Sequence, residues 1–400
     1  MWEQIRSNQI RAAILVAGMG ALLLLLGYFL GIYFFDNAVV GLIIALILWG
    51  VMNLVAYFQG DSILLAVSRA RKITRDDHPR LYNIVEEMKI ASGLEKVPDI
   101  YILDDPALNA FATGRSPDKA SVAVTSGLLQ KLNRDELQGV IGHEIAHVKN
   151  RDVLLMSMAG IILGTIVILA WYATRILFFS GMAGGRRSSR SGGGQGQIIV
   201  LAIGIILMIL APIAAQLLYF AVSRRREFLA DASSALYTRY PEGLASALEK
   251  IAASTSQLQS ANKATAPMYT VNPFREKGRA ATDLTSTHPP ISERIRVLRS
   301  MAGASVADYE RAYRQIKGGA GVIPASALAG IGTIPLRSVA AEAREDTADK
   351  IERARETSDL MWRLGNYRTI TCDCGTNLRV PATFRQSSIK CPHCGTVNHL

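Results

Sequence analysis

The sequence has 400 residues, of which 50% are apolar and only 19% are charged, and its formal net charge is +11. The apolar residues are concentrated in runs of about 20 residues, each long enough to cross a hydrocarbon core of about 30 Å as a helix. This composition excludes a water-soluble protein without membrane segments. Basic residues that flank membrane spans explain the positive charge more simply than nucleic-acid binding does, so nucleic acid is retained only as an alternative partner.

The apolar runs predict a mainly α, integral membrane protein with about four transmembrane helices. The runs cover roughly residues 12–34, 38–58, 153–179 and 198–222. The first run is too long, and too close to the second, for a cleaved signal peptide. We therefore expect residues 1–58 to form an N-terminal transmembrane hairpin and residues 153–222 to form a second one.

The distribution of Lys and Arg predicts which parts of the chain face the cytosol. The segment after the second run begins with Arg69, Arg71 and Lys72, whereas the link between the first two runs contains Asp36 and no basic residue. Because basic residues favour the cytosolic side, we expect both termini and residues 59–152 in the cytosol of a multi-pass inner (plasma) membrane protein. The link after the third run opposes the rule with Arg186, Arg187 and Arg190. Either the rule fails there or the last two runs form a shallow hairpin, and we favour four full spans.

The segment between the two hairpins is predicted to combine helices with short strands. "HPRLYNIVEEMKIASGL" has apolar residues at helical spacing, "DIYILDD" and "ASVAVTSGLL" are typical of strands, and "PALNAFATGRSPD" indicates a loop or edge element. A helix capped by Asn133 or Asp135 is expected to continue through "GVIGHEIAHVKNRD" into the third apolar run. We assign residues 59–316 to one domain that includes the hairpin 153–222.

A His-Glu-x-x-His pattern at residues 143–147 carries the strongest chemical signal. Two residues four apart on a helix lie about 40° apart around its axis, so His143 and His147 offer two imidazoles on one face for Zn²⁺. Glu144 then lies beside the metal, where it can act as a general base toward the attacking water. The alternative is an ordinary helix with surface histidines.

The hairpin geometry nominates Glu227 as a third metal ligand. His147 lies six residues before the third run begins at Val153, and Glu227 lies five residues after the fourth run ends at Val222. At about 1.5 Å per residue, both lie some 8–9 Å beyond the membrane edge. Asp231, one helical turn further, can hydrogen-bond a ligand histidine. The alternative for Glu227 is a surface ion pair with the neighbouring arginines.

These motifs resemble the HtpX family of membrane-bound zinc metalloproteases, which are relatives of the CAAX prenyl endopeptidases. The resemblance covers roughly residues 5–300 and is carried by "NAFATG", "HEIAHVKNRD", "RREFLAD" and "HPPISERI". It implies a zincin-like α+β metalloprotease domain, with His143, His147 and Glu227 as zinc ligands, Glu144 as general base and Asp231 behind the ligands.

The same resemblance implies roles that spacing alone does not suggest. His288 and Arg294 are expected at the metal cleft, where they would stabilise the oxyanion or gate the zinc. Asn109 is expected to line the cleft where an extended peptide adds as a strand. The alternatives are that His288 only starts a helix and that Asn109 is a turn residue.

The C-terminal part of the chain is predicted to be separate from this domain. Residues 317–370 are interpreted as a linker and a charged, solvated helix, and residues 371–400 as a small module. That module resembles a zinc ribbon with four ligands for a structural zinc, Cys372, Cys374, Cys391 and Cys394. His393 and His399 are possible substitute ligands, redox or incidental cysteines are the alternative, and the partner of the ribbon cannot be read from the sequence.

The function predicted from these features is a zinc endopeptidase that cleaves membrane proteins on the cytosolic side. The resemblance to the HtpX family implies that its substrates are especially misfolded or damaged membrane proteins. The expected partners are membrane-protein substrates and the lipid bilayer, and the expected cofactors are one catalytic and one structural Zn²⁺. Two alternatives remain open: an inactive membrane scaffold whose ribbon recruits a partner, and a protease that processes lipid-modified substrates.

Overall fold

The computed structural model describes residues 2–182, 194–254, 256, 289–319, 321–323, 325–338 and 347–399. The chain begins with a hairpin of two long helices, α1 (Trp2–Phe35) and α2 (Ala38–Val67). Asn37 caps α2 by accepting a hydrogen bond from the backbone N–H of Val39 at 2.9 Å. A Cβ atom on Gly41 would lie 2.1 Å from the carbonyl oxygen of Gly27, so glycine is required where the two helices cross.

Two further long helices, α6 (Asp152–Met182) and α7 (Gly194–Thr238), pack with this hairpin as a four-helix bundle. Its apolar interior includes Met19, Leu23 and Ile166, which are fully buried. In the described part of the chain, α1 and α2 are long and apolar enough to cross a membrane, and α6 contains the shorter apolar segment Ile161–Arg175. The count of four spans therefore stays a prediction, and Arg186, Arg187 and Arg190 lie outside the described residues.

The soluble domain is built on a four-stranded sheet in the order β1-β2-β4-β3. The strands are β1 (Arg71–Ile73), β2 (Asp99–Leu103), β3 (Ala110–Gly114) and β4 (Ala120–Thr125). β2 and β4 are parallel, and β3, from the "NAFATG" segment, pairs antiparallel with β4 at the edge of the sheet. The sheet carries the helices α3 (Pro79–Ser92), α4 (Ser126–Lys131) and α5 (Arg134–Lys149).

Helix α5 does not continue into the third apolar run, and that expectation is wrong. Asn133 and Glu136 form a capping box at its start, and Asn150 ends it. Arg151 has a left-handed backbone conformation, φ 56°, and α6 begins at Asp152. A left-handed residue interrupts the helical hydrogen-bond ladder, so the chain changes direction between α5 and α6.

Five helices follow α7 in the described residues, and the first four are α8 (Pro241–Ala253), α9 (Ile291–Arg299), α10 (Val306–Lys317) and the short α11 (Ala325–Leu328). The segment predicted as a linker then runs along the domain surface. The backbone N–H of Ala304 donates to the Ile334 carbonyl at 2.8 Å, and that of Arg337 donates to the Arg239 carbonyl at 2.8 Å. This segment is therefore bound to the domain that contains the four-stranded sheet rather than free of it.

Helix α12 (Thr347–Leu364) also differs from the expectation of a solvated helix, because it packs against α4. Leu360 is buried as part of the main hydrophobic core, and Arg363 donates to the Asp77 carbonyl at 2.8 Å. The chain ends in two small hairpins: β5 (Tyr367–Thr371) with β6 (Asn377–Pro381), and β7 (Ser388–Lys390) with β8 (Val397–His399). The C-terminal module thus begins at Tyr367, four residues before the predicted boundary of 371.

Candidate metal centre

Helix α5 carries the two histidines through the middle of the domain rather than on its surface. His143 is 0% exposed and Glu144 is 2% exposed, while His147 is partly exposed. The helix is held closely on one side by α8, because the bare Cα of Gly139 contacts the backbone of Leu244. On another side, the Ser234 hydroxyl on α7 donates to the Gly139 carbonyl at 2.7 Å. The alternative of an ordinary helix with surface histidines does not fit this burial.

The bundle brings Glu227 of α7 to the two imidazoles. The Nε2 atoms of His143 and His147 lie 3.2 Å apart. Glu227 faces both of them, with Oε2 at 3.5 Å from His143 Nε2 and Oε1 at 3.4 Å from His147 Nε2. Glu227 therefore lies level with the two histidines of α5, as the similar chain lengths beyond the apolar runs suggest.

These separations fit a tetrahedral metal ion. Donor atoms about 2.0–2.1 Å from a tetrahedral Zn²⁺ lie about 3.3–3.4 Å from one another. The three nitrogen and oxygen separations, 3.2, 3.4 and 3.5 Å, bracket that value. Two imidazoles and one carboxylate make a three-ligand set that leaves the fourth position for water or substrate, as in catalytic rather than structural zinc sites.

Each imidazole is oriented by a second carboxylate on its other nitrogen. Asp231 Oδ1 lies 2.9 Å from Nδ1 of His143, and Asp152 Oδ2 lies 3.3 Å from Nδ1 of His147. A carboxylate on Nδ1 fixes the tautomer that leaves Nε2 free to bind a metal. The sequence analysis identified Asp231 but missed Asp152, which follows the helix break and whose only signal was its position directly before the apolar run.

The carboxylates around the two imidazoles favour their positively charged, protonated forms. Burial by itself would lower the pKa of His147, but Asp152 and Glu227 raise it to about 10. Burial likewise opposes the charged form of His143, and Asp231 and Glu227 outweigh it and raise its pKa. A site where neutral imidazoles attract a proton this strongly also fits a divalent cation at the same place.

Arg294 of α9 lies behind the ligands, 0% exposed. Its Nε and Nη2 atoms donate to the two oxygens of Asp231 at 2.8 and 2.6 Å, and Nη1 lies 3.4 Å from Glu227 Oε2. Arg294 therefore joins the carboxylate that orients His143 to the carboxylate that faces both imidazoles. This burial favours a positioning role, and the oxyanion role expected for Arg294 remains a prediction.

The other two residues of the expected cleft are placed differently by the structure. His288 lies outside the described residues. Asn109 is buried directly before edge strand β3, where its backbone pairs with Thr125 on β4: its N–H donates to Thr125 Oγ1 and its carbonyl accepts from the Thr125 N–H, both at 3.1 Å. Its role toward a peptide strand remains a prediction.

The four cysteines of the C-terminal module lie close together, two in the turn of each of its hairpins. The Sγ separation is 3.5 Å for Cys372 and Cys394 and 3.7 Å for Cys374 and Cys391. All four sulfur atoms lie within 4.8 Å of one another, which approaches the roughly 3.8 Å expected for thiolates 2.3 Å from a tetrahedral Zn²⁺. Hydrogen bonds from Thr376 lower the pKa of the Cys374 thiol to about 5, whereas the nearby Cys374 sulfur helps to raise the pKa of the Cys394 thiol to about 11. Neighbouring thiolates repel each other, so a bound cation would favour the deprotonated form of all four.

Most of the chain is similar in sequence to known proteins. Residues 75–302 match peptidase family M48. A "Protease HtpX homolog" of Dictyoglomus turgidum is 45% identical over 300 residues, covering 75% of this chain and 94% of that protein. Proteins of the same name from Thermoanaerobacter pseudethanolicus and Ligilactobacillus salivarius are 42% and 39% identical over 75% of this chain, covering 98% and 100% of their own lengths.

One similar solved structure is the crystal structure of S. mikatae Ste24p. It is 18% identical, with a TM-score of 0.41, and the match covers 74% of this chain and 67% of that one.

Proposed function

This chain belongs to peptidase family M48 and is a metalloprotease related to the HtpX proteases, and from that premise we propose how its residues cleave a peptide. We propose a membrane-bound zinc endopeptidase that cuts misfolded or damaged membrane proteins on the cytosolic side. The observation that carries the proposal is the meeting of His143, His147 and Glu227, with His147 five residues before the apolar helix α6 begins at Asp152.

His143, His147 and Glu227 would hold the catalytic Zn²⁺. When bound, zinc supplies a Lewis acid that polarises the scissile carbonyl and makes water more acidic. Asp231 and Asp152 keep the two imidazoles in the tautomer that exposes Nε2 to the metal. Arg294 holds Asp231 with two hydrogen bonds, so it acts on the reaction through His143.

Glu144 moves the protons of the reaction. It is next to His143 in sequence and is 2% exposed, so it lies in a largely desolvated environment. It takes a proton from the attacking water and donates one to the leaving amine. His288 with Arg294 would stabilise the oxyanion, as the resemblance to the family implies.

Asn109 and edge strand β3 are proposed to bind the substrate backbone. The outer side of an antiparallel edge strand offers N–H and C=O groups that pair with an extended peptide. β3 also lies next to α5, which carries Glu144. A peptide on this edge would therefore run past the metal centre.

The C-terminal module is proposed to hold a second, structural Zn²⁺ through Cys372, Cys374, Cys391 and Cys394. A closed set of four thiolates has no position left for substrate. The module is too short to form a sizeable hydrophobic core, so the metal would supply much of its folding free energy.

The test is zinc content and proteolysis measured together on the full-length protein in detergent. Wild type, Glu144→Gln and Cys391→Ser are compared, with an unfolded protein and a membrane protein as substrates. We expect two zinc ions per wild-type chain, two in Glu144→Gln with at least 100-fold slower cleavage, and one in Cys391→Ser with cleavage retained. Cleavage by Glu144→Gln at the wild-type rate would falsify the role of Glu144 as the base.

A further inference from the structure

A shallow recess, with about 10 Å³ of enclosed space and open to solvent, lies where the β3–β4 turn meets the break between α5 and α6. It is lined by residues that include Thr113, Gly114, Arg115, Val148, Arg151 and Leu154. Its lining combines apolar side chains with the two arginines. None of the residues proposed to hold zinc or to move protons lines it.

The recess lies at the level expected for the boundary between lipid and water. The guanidinium of Arg115 lies 5.8 Å from the ring centroids of both Tyr57 and Phe58 on α2. Exposed aromatic residues near the end of an apolar span are typical of the membrane interface. On the other side of the recess, Arg151 comes two residues before Val153, where the third apolar run begins.

The polar groups of the recess are available to an anion. In the described part of the structure, neither Arg115 nor Arg151 forms an ion pair with a carboxylate. Thr113 is 1% exposed, and its hydroxyl has no hydrogen-bond partner among the described residues. A buried hydroxyl without a partner is uncommon and points to a ligand that would satisfy it.

The backbone of Arg151 adds a second observation. Its φ of 56° lies in the left-handed region, which Gly and Asn adopt more easily than Arg. This conformation fixes the Cα of Arg151 at the edge of the recess. Two guanidinium groups and a hydroxyl that line one recess from two chain segments, residues 113–115 and the break between α5 and α6, match the several oxygen atoms of a phosphate group.

We propose that this recess binds the phosphate of an anionic glycerophospholipid headgroup. The apolar chains of the lipid would then lie along α2 and α6, beside Phe58 and Leu154. Because Arg151 joins α5 to α6, a bound headgroup would hold the end of the helix that carries His147 at a fixed height over the bilayer. This inference rests on the membrane placement under the proposed function.

The experiment uses full-length protein in detergent and counts retained lipid by native mass spectrometry. Phosphatidylglycerol and phosphatidylcholine are added at equal mole fraction, and inorganic phosphate is titrated separately by thermal unfolding. The variants are Arg115→Gln with Arg151→Asn, and Thr113→Val, which keeps the side-chain shape. Asn tolerates the left-handed backbone at position 151, so folding is preserved.

Arg175→Gln is the matched control. Arg175 lies 5.2 Å from the ring of Trp171, so it shares the arginine–aromatic arrangement, but it is about 36 Å away along α6. We expect wild type and Arg175→Gln to retain one phosphatidylglycerol. The double variant should bind it about tenfold or more weakly, since charge-assisted hydrogen bonds are lost, and Thr113→Val should bind it about threefold or more weakly.

Four results would overturn the proposal. The first is a loss of lipid in Arg175→Gln as large as in the double variant, and the second is retention of phosphatidylcholine equal to that of phosphatidylglycerol. The third is stabilisation by inorganic phosphate alone that is as large as stabilisation by lipid. The fourth is a double variant that keeps its lipid and instead raises the KM for a peptide. Flotation with phosphatidylglycerol vesicles tests the proposed membrane placement separately from lipid binding in the recess. Protein that does not float contradicts the proposed membrane placement, whereas lipid counted in detergent still decides whether the recess binds a headgroup.

Discussion

The Nδ1 atom of His147 lies 3.3 Å from Oδ2 of Asp152, across the break between α5 and α6. The relationship depends on Arg151, whose left-handed conformation turns Asp152 back toward the helix that it follows. His143 has the equivalent partner in Asp231, at 2.9 Å. One imidazole is therefore oriented from α7 and the other from the first residue of α6.

Replacing Asp152 with asparagine is expected to weaken zinc binding at the catalytic site by about 10–100-fold, because His147 loses the carboxylate that fixes its tautomer. Competition with a fluorescent chelator measures this affinity, and excess zinc should restore part of the activity. Asp99→Asn is the control, since Asp99 forms an exposed ion pair with Lys72. Unchanged zinc affinity in Asp152→Asn would show that the contact has no role in metal binding.

Replacing Arg294 with glutamine is expected to destabilise the domain by about 3–5 kcal/mol, because it leaves the buried carboxylate of Asp231 without its charged partner. Arg299→Gln is the control on the same helix. Arg299 pairs with Glu242 and Glu249 at the surface, and its removal should cost about 1 kcal/mol or less. Thermal unfolding of the zinc-loaded protein compares the two, and equal losses would contradict the positioning role of Arg294.

Replacing Gly139 with alanine is expected to lower the stability by about 1–3 kcal/mol through overpacking. The added Cβ would lie 2.6 Å from the backbone nitrogen of Leu244 and 2.8 Å from its Cα, and backbone atoms cannot rotate away. Because Gly139 lies one turn before His143, zinc affinity should also fall. Gly332→Ala is the control, since a Cβ there meets nothing within 4 Å. Denaturant unfolding of both variants measures the difference.

His78 is expected to make stability depend on pH. It is buried, it caps α3 by accepting from the Leu81 N–H at 3.2 Å, and burial, together with the nearby charge of Arg80, lowers its pKa to about 4. Between pH 4 and about 6.5 the unfolded chain binds a proton that the folded chain does not. This contribution is therefore fully present above about pH 6.5 and is lost as the pH falls through 4, by roughly 3 kcal/mol in total.

Unfolding of wild type and His78→Asn at pH 7.5 and pH 5 tests this dependence. Asparagine can cap a helix but does not titrate, so the variant should lose less stability than wild type between the two pH values. His399→Asn, at an exposed histidine, should behave as wild type. An equal loss in all three proteins would assign the pH dependence to other groups.

Features set by short sequence separation were predictable. The His143–His147 spacing fixes one helix face, and the "NAFATG" segment was placed as a loop or edge element, which the structure shows as strand β3. Glu227 was nominated because two antiparallel helices of equal length return to the same level, and the structure places it beside both histidines. The number of membrane spans could not be decided in the same way, because apolar length is necessary for a span but does not prove one.

What the sequence by itself determined is the chemistry of the side chains and the periodicity that groups them: an HExxH helix, apolar runs and cysteine pairs. Only the tertiary structure decided which distant residues complete the site. Asp152 joins it through one left-handed residue, and Arg294 is buried against Asp231, 63 positions earlier in the chain. Helix α12, which reads as solvated, is held by Leu360 in the core. These contacts depend on packing between elements remote in sequence, which local propensity and periodicity do not encode.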